Sequence, residues 1–191
     1  MKKKKSESLK LYNVNPDTNA YIVEVSLDDY SELFNGWDAS PLRRRDLEPE
    51  LMDYLEQAST EIPLSENLEL CFYMPKDKRD LEKEFKSITS IMNNFKVLMS
   101  VIYKQLSKNY RRLLIYVVVS IIFLSAAYLL RNETDFSLLI SIMIEGLFIG
   151  GWFLLWEAFS LFFFDTHEIN IRKKLFNRLL HSDIYFKDTK E

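Results

Sequence analysis

A carboxylate inside a long apolar run is the group in this chain best placed to do chemistry. Glu145 stands in residues 136–164, where the only other charge is Glu157. A charge at the centre of a bilayer costs on the order of 2.5–3.5 kcal/mol on insertion scales, so an intramembrane carboxyl marks function by default. Protonation would neutralise it. Ser141, one turn away, or Ser120, across a helical hairpin, would hydrogen-bond it. Two roles fit: a proton- or cation-binding group in a pore or sensor, or a protonated carboxyl that holds helices together. Gly146 and Gly150 form a GxxxG spacing and Gly151 follows directly. Three of the four glycines thus fall within six positions, a pattern that lets helix backbones approach closely.

Arg43, Arg44 and Arg45 are the second candidate. Three adjacent arginines cannot all face one way on a regular element. They suit a phosphate, a lipid headgroup or an acidic partner; alternatively one or two pair with Asp46, Glu48 or Glu50 and the rest are solvated. Other chemistry is not indicated. Cys71, the single cysteine, lies in a strand with no adjacent base and reads as packing. It excludes an internal disulfide and a multi-cysteine zinc site. His167 and His181 lack metal-ligand spacing. There is no phosphate-binding glycine loop, nucleophile elbow or soluble carboxylate dyad. No catalytic residue, metal or cofactor is therefore expected, and the net charge of -3 argues against nucleic acid.

The elements that must position these residues begin with two apolar runs. Residues 113–130 carry no charge and match the roughly 20 residues that span a hydrocarbon core. Residues 131–135 form a polar turn, and 136–164 form a second run, about 43 Å long as a helix. The second run is too long to be all membrane. With the hairpin fixing depth, Trp152 and Trp156 approach the cytoplasmic interface, Glu157 is wet, and Glu145 lies near the bilayer centre. Lys2–Lys5 are followed by a polar stretch and not an apolar one, so no cleavable signal is expected and the first span serves as the insertion signal.

Lys104, Lys108, Arg111 and Arg112 precede the spans, and Arg172, Lys173, Lys174 and Arg178 follow them, against Arg131 alone in the turn. This asymmetry predicts a cell (inner) membrane protein with both termini cytoplasmic. Asn132-Glu133-Thr134 matches a glycosylation sequon and is discounted, because so short a turn is a poor acceptor.

The flanks read as one small domain. Residues 1–19 are predicted to be a disordered basic tail, with Lys2–Lys5 either drawn to anionic lipid or simply solvated. In residues 20–76, Tyr21, Val23, Val25 and Leu27 alternate as in a half-buried strand. Asp28 or Asp29 caps a short helix carrying Tyr30, Leu33 and Phe34. Pro49 opens a helix with Leu51, Tyr54 and Leu55 on its apolar side, ending near Thr60. Asn67 to Met74 form a second strand.

Residues 77–112 are predicted as a long helix. Leu81, Phe85, Ile88, Met92, Phe95, Met99, Ile102 and Leu106 are spaced by alternating steps of 4 and 3. This heptad pattern is that of a coiled-coil stalk that oligomerises the protein, or of an amphipathic helix packed on its own sheet, which Ile91 and Leu98 would favour. One more heptad step reaches Leu113, so the helix can continue into the first span. In residues 165–191 an amphipathic helix presents Ile171, Leu175 and Leu179, and Ile184 and Phe186 mark a last strand. Strands from both ends of the chain would then share one sheet. The expected fold is a membrane α-helical hairpin of two transmembrane helices plus a small cytoplasmic α+β domain formed from both ends of the chain.

Two stretches carry a resemblance. One is Glu145-Gly146, Ile149-Gly150-Gly151-Trp152, Trp156-Glu157 and Phe164-Asp165, with the Arg/Lys cluster and short strand that follow. The other is Ser40-Pro41, Arg45-Asp46-Leu47 and Pro49-Glu50-Leu51. Together they resemble a loose set of uncharacterised prokaryotic two-span membrane proteins with a small cytoplasmic α+β domain. The likeness implies that architecture and brings no activity, ligand or catalytic residue.

The function expected from the sequence is that of a non-enzymatic two-pass membrane protein. It would form a homo-oligomer in the lipid bilayer and use its cytoplasmic domain to bind a cytoplasmic protein or a small anionic ligand, as a sensor, adaptor or scaffold. The runner-up is a small ion- or proton-conducting pore or membrane-disrupting effector with Glu145 in its lumen. A membrane-anchored enzyme ranks third.

Overall fold

Alternation in the first strand candidate and a nearly continuous apolar run in the second set up a sheet with one covered face. A computed structural model describes residues 7–41, 44–131 and 137–189. Lys2–Lys5, Arg43 and turn residues 132–135 lie outside the described residues. The chain divides into two compact units, Met1–Val101 with Lys173–Glu191, and Ile102–Arg172.

The first unit is built on a mixed four-stranded sheet in the order β1 (Asn13–Val14), β2 (Tyr21–Ser26), β3 (Leu68–Met74), β4 (Asp183–Asp188). β1 is antiparallel to β2, whereas β2, β3 and β4 run parallel. The register Val23↔Leu70 and Phe72↔Phe186 puts the apolar positions on one face. Val23, Leu70, Phe72 and Met74 are 0% exposed there. Leu55 and Ile62 from the α1 region (α1, Pro49–Glu61), with Ile91, Phe95, Phe176 and Leu179, complete the core. Each such side chain contributes about 1.5–3 kcal/mol by leaving water. The two ends of the chain do share a sheet, as the terminal patterns predict.

The expectation of a disordered tail over residues 1–19 fails from Glu7 onward. Glu7–Leu11 is a 3-10 turn and β1 pairs with the edge of β2. Polar composition concealed this, because an edge strand needs backbone pairing more than an apolar face.

The long helix α2 spans Leu81–Leu130 without a break at residue 112. It starts later than Asp77: Lys76–Lys78 form a 3-10 turn, and Asp80 caps the helix by accepting from the Glu82 and Lys83 amides at 2.8 and 3.2 Å. Its packed side departs from the predicted heptad seam in the first turns and rejoins it at Phe95, Met99 and Ile102, all buried. Glu84, Ser87, Ile91 and Phe95 are buried, while Leu81 and Phe85 are 81% and 65% exposed. Arg79 explains the offset, since it draws Glu84 inward through a 2.7 Å ion pair and also binds Asp188 at 2.7 Å. These two acids hold the Arg79 guanidinium well above its ordinary pKa, with the Glu84 bond the larger cause.

The second unit contains the end of α2, α3 (Leu138–Ser160), a π-helical stretch at Leu161–Asp165 and the start of α4 (Thr166–Leu180). Leu81–Leu130 and Leu138–Leu180 are both long and apolar enough to cross a membrane. The final amphipathic helix is therefore continuous with the second apolar run and does not begin a new element.

Candidate functional site

The polar face of the sheet carries the charged residue that the apolar strand pattern makes most conspicuous. Glu69 lies in β3 between Leu68 and Leu70 and is 3% exposed. Register aligns it with Ile22 on one side and Asp183 on the other. Its Oε1 accepts from Thr18 Oγ1 at 2.5 Å and Asn15 Nδ2 at 3.1 Å; Oε2 accepts from Asn15 Nδ2 at 2.9 Å and the Tyr185 hydroxyl at 3.0 Å. Burial alone would raise the Glu69 pKa, but the hydrogen bonds from Thr18, Asn15 and Tyr185, aided by Lys187, outweigh it and hold it below the usual carboxylate value. A carboxylate this fully engaged is a fastening: it pins the N-terminal segment and β4 to the middle strand. Asn19, at φ 56°, lets the chain reverse from that segment into β2.

Beside Glu69 opens a cleft of about 690 Å³ at the N-terminal ends of the parallel strands. Its α4 side presents Lys173, Lys174, Asn177, Arg178 and His181, and Thr18, Asn67 and Glu69 lie on the sheet side. Arg178 is committed to the protein. It donates to the carbonyls of Ser59, Ile62, Pro63 and Glu66 and to Ser59 Oγ. The guanidinium thereby caps the C-terminal end of α1, where carbonyls have no helical partner. His181 Nδ1 bonds the Asn177 carbonyl at 2.8 Å, which calls for the Nδ1–H tautomer and leaves Nε2 for other contacts.

Arg44 and Arg45 sit in the loop closed by a Phe34↔Leu47 bridge. Arg44 is exposed. Arg45 does not reach for Asp46, Glu48 or Glu50; its Nε donates to the Ser40 carbonyl at 3.2 Å. The Arg45 carbonyl in turn accepts from Ser90 Oγ at 3.3 Å and Asn94 Nδ2 at 2.8 Å, which fastens the loop to α2. Among the described residues the cluster is a pinned loop with one outward arginine.

The candidates on the apolar helices are not brought together. Glu145 is exposed on α3. Ser141 Oγ turns back to the Ser137 carbonyl at 3.5 Å, and Ser120 is 0% exposed with no partner for its hydroxyl. No hydrogen bond joins Glu145 to either serine among the described residues. The glycines also divide. A Cβ on Gly151 would lie 2.8 Å from Leu124 Cγ and one on Gly150 3.4 Å from Phe123, whereas one on Gly146 would meet nothing within 4 Å. Close packing of α2 and α3 therefore uses the Gly150–Gly151 pair and not the GxxxG spacing.

Sequence reasoning missed a further polar knot. In the π-helical stretch the Leu161 carbonyl receives the Thr166 amide, Thr166 Oγ1 at 2.9 Å and Asn109 Nδ2 at 3.4 Å. Asn109 Nδ2 also donates to Thr166 Oγ1 at 2.9 Å, and both residues are buried. The bulge thus finds its hydrogen bonds inside the unit. A lone asparagine one turn before an apolar run was the only available signal. Comparison with protein-family models, curated proteins and solved structures returns no match.

Proposed function

We propose that this chain is a two-pass membrane protein that binds a small anionic ligand through its cytoplasmic sheet unit and works as an oligomeric sensor or adaptor. Membrane insertion is supported by how little of the two apolar windows is buried, 11% and 6%. A soluble protein rarely leaves so large an apolar surface bare. Trp152 and Trp156, 54% and 73% exposed, suit an interfacial belt. The β3–β4 pairing supports a hairpin with both flanks on one side, because the strands lie on either side of it in sequence. The Lys/Arg asymmetry favours the cytoplasmic side.

The observation that carries the binding reading is the cleft beside Glu69, whose α4 wall groups Lys173, Lys174 and His181. Binding is favoured over catalysis because the groups able to react are already engaged: Glu69 accepts four hydrogen bonds and Cys71 is 0% exposed. The test is a titration of inorganic phosphate and citrate into the full chain in detergent at constant ionic strength. Either anion should raise the apparent Tm of the wild type and leave Lys174→Glu unmoved. An equal rise in both proteins, or none in either, removes the cleft as an anion site.

A further inference from the structure

We propose that the cleft beside Glu69 selects an anion that carries its own hydroxyl proton, such as monohydrogen phosphate or a hydroxy acid, and that His181 sets this selection. The inference rests on the reading of that cleft as an anion site. Charge alone does not make it a general anion trap. α4 contributes Lys173, Lys174 and Arg178, and the β3 and β4 side contributes Glu66, Glu69 and Asp183, three cations against three carboxylates. A bare dianion gains from the lysines and is repelled by the carboxylates. An anion with a hydroxyl gains from both walls, because a carboxylate accepts hydrogen bonds and cannot donate them.

His181 adds an acceptor to the basic wall itself. Its Nδ1 lies 2.8 Å from the carbonyl of Asn177, one turn earlier in the chain. A carbonyl only accepts, so the proton sits on Nδ1 and Nε2 of the neutral ring presents a lone pair. An oxygen of a fully deprotonated anion set against that lone pair finds no hydrogen, and both groups go unpaired. A ligand hydroxyl satisfies it. Glu69 is already engaged by Thr18, Asn15 and Tyr185, which leaves Nε2, Glu66 and Asp183 to receive that hydroxyl. Of these, the imidazole is the type of group that changes charge between about pH 5 and 8. Once protonated, Nε2 is a donor, and a bare dianion is received as well.

The experiment is calorimetric titration of sodium phosphate and sodium sulfate into the full chain in detergent at constant ionic strength. It is run at about pH 7.5 and about pH 5.5, on either side of the ordinary histidine value. Sulfate stays a bare dianion at both. At the higher pH phosphate should bind about tenfold more tightly than sulfate, the fold-change of one hydrogen bond left unmade. At the lower pH sulfate should gain about tenfold. His181→Gln, at an exposed position, offers an amide that turns either a donor or an acceptor to the ligand. It should bring sulfate close to phosphate at the higher pH and abolish the gain at the lower. Sulfate bound as tightly as phosphate by the wild type at the higher pH overturns the selection. So does a missing gain in the wild type, or a gain that survives in His181→Gln. Heat from neither anion at either pH overturns the anion site itself, and the selection with it.

Discussion

In the sheet unit Glu69 is 3% exposed and its oxygens accept four hydrogen bonds. In the hairpin unit the carboxyl of Glu145 is outward; among the described residues, buried polar atoms without a partner occur in both units, Ser120 Oγ in the hairpin and Ser87 Oγ and Arg178 Nε in the sheet unit. The contrast follows where each unit's apolar residues lie: the sheet unit buries them, whereas the two apolar helices leave most of theirs exposed. The sheet unit hides its apolar groups and pairs Glu69 among them, as buried polar groups generally are. On the apolar helices Glu145 is exposed together with most of the apolar side chains around it.

The largest effect that would sharpen this contrast is expected from Arg178→Leu. It removes the donor that caps α1 and leaves carbonyls of Ser59, Ile62, Pro63 and Glu66 without their partner. A loss of about 3 kcal/mol follows from charged hydrogen bonds of this kind. Hydrogen exchange should show β3 amides losing protection while α3 amides keep theirs. Equal losses in both units would mean they are not independent.

Glu69→Gln comes next, with a loss of about 2 kcal/mol at neutral pH from a strained and partly unsatisfied cluster. The acid limb provides a second readout. Because the folded-state pKa of Glu69 is depressed, its stabilisation is full above the unfolded glutamate range near pH 4.3 and disappears as pH falls through the lower folded value. The wild-type sheet unit should therefore weaken over that interval, and Glu69→Gln should weaken less. An unchanged acid limb in the variant would show that other carboxylates govern it.

The hairpin offers a comparison within itself, and its Gly146→Ala variant the smallest effect expected. Gly151→Ala forces its Cβ against Leu124 Cγ at 2.8 Å and the Leu124 backbone nitrogen at 3.2 Å, an overpacking of about 1–3 kcal/mol. Gly146→Ala has open space and should leave the hairpin within about 0.5 kcal/mol of the wild type. Thermal scans of the detergent-solubilised chain separate the two. If they behave alike, the hairpin does not close on Gly151.

The strands β2 and β3, helix α1 and both apolar helices could be read from periodicity, because each satisfies a local pattern. What escaped depends on contacts distant in sequence. The partners of Glu69 lie 51, 54 and 116 positions away, so only its presence in an apolar strand was visible. Arg178 looked like one more cation of a flanking cluster, although its neighbours are carbonyls more than a hundred positions earlier. The heptad steps were sound as arithmetic, but the Arg79–Glu84 ion pair turned a charged residue into the packed side and left Leu81 and Phe85 outside. Glycine spacing located the packed region of α3, where Gly150 and Gly151 meet α2 and Gly146 has open space.

The pairing of β3 with β4 also orders events in time. Met74 is synthesised roughly 100 residues before its neighbour Asp188, a delay of about 5–20 s at ordinary elongation rates. Through that interval both apolar helices leave the ribosome while one edge of the middle strand is bare, and a bare edge recruits other strands. The sheet closes only when the chain's last segment arrives, after the hairpin has been made. A nascent chain therefore holds an adhesive, unfinished sheet until β4 arrives, and any delay while the two apolar helices are made lengthens its exposure to its neighbours.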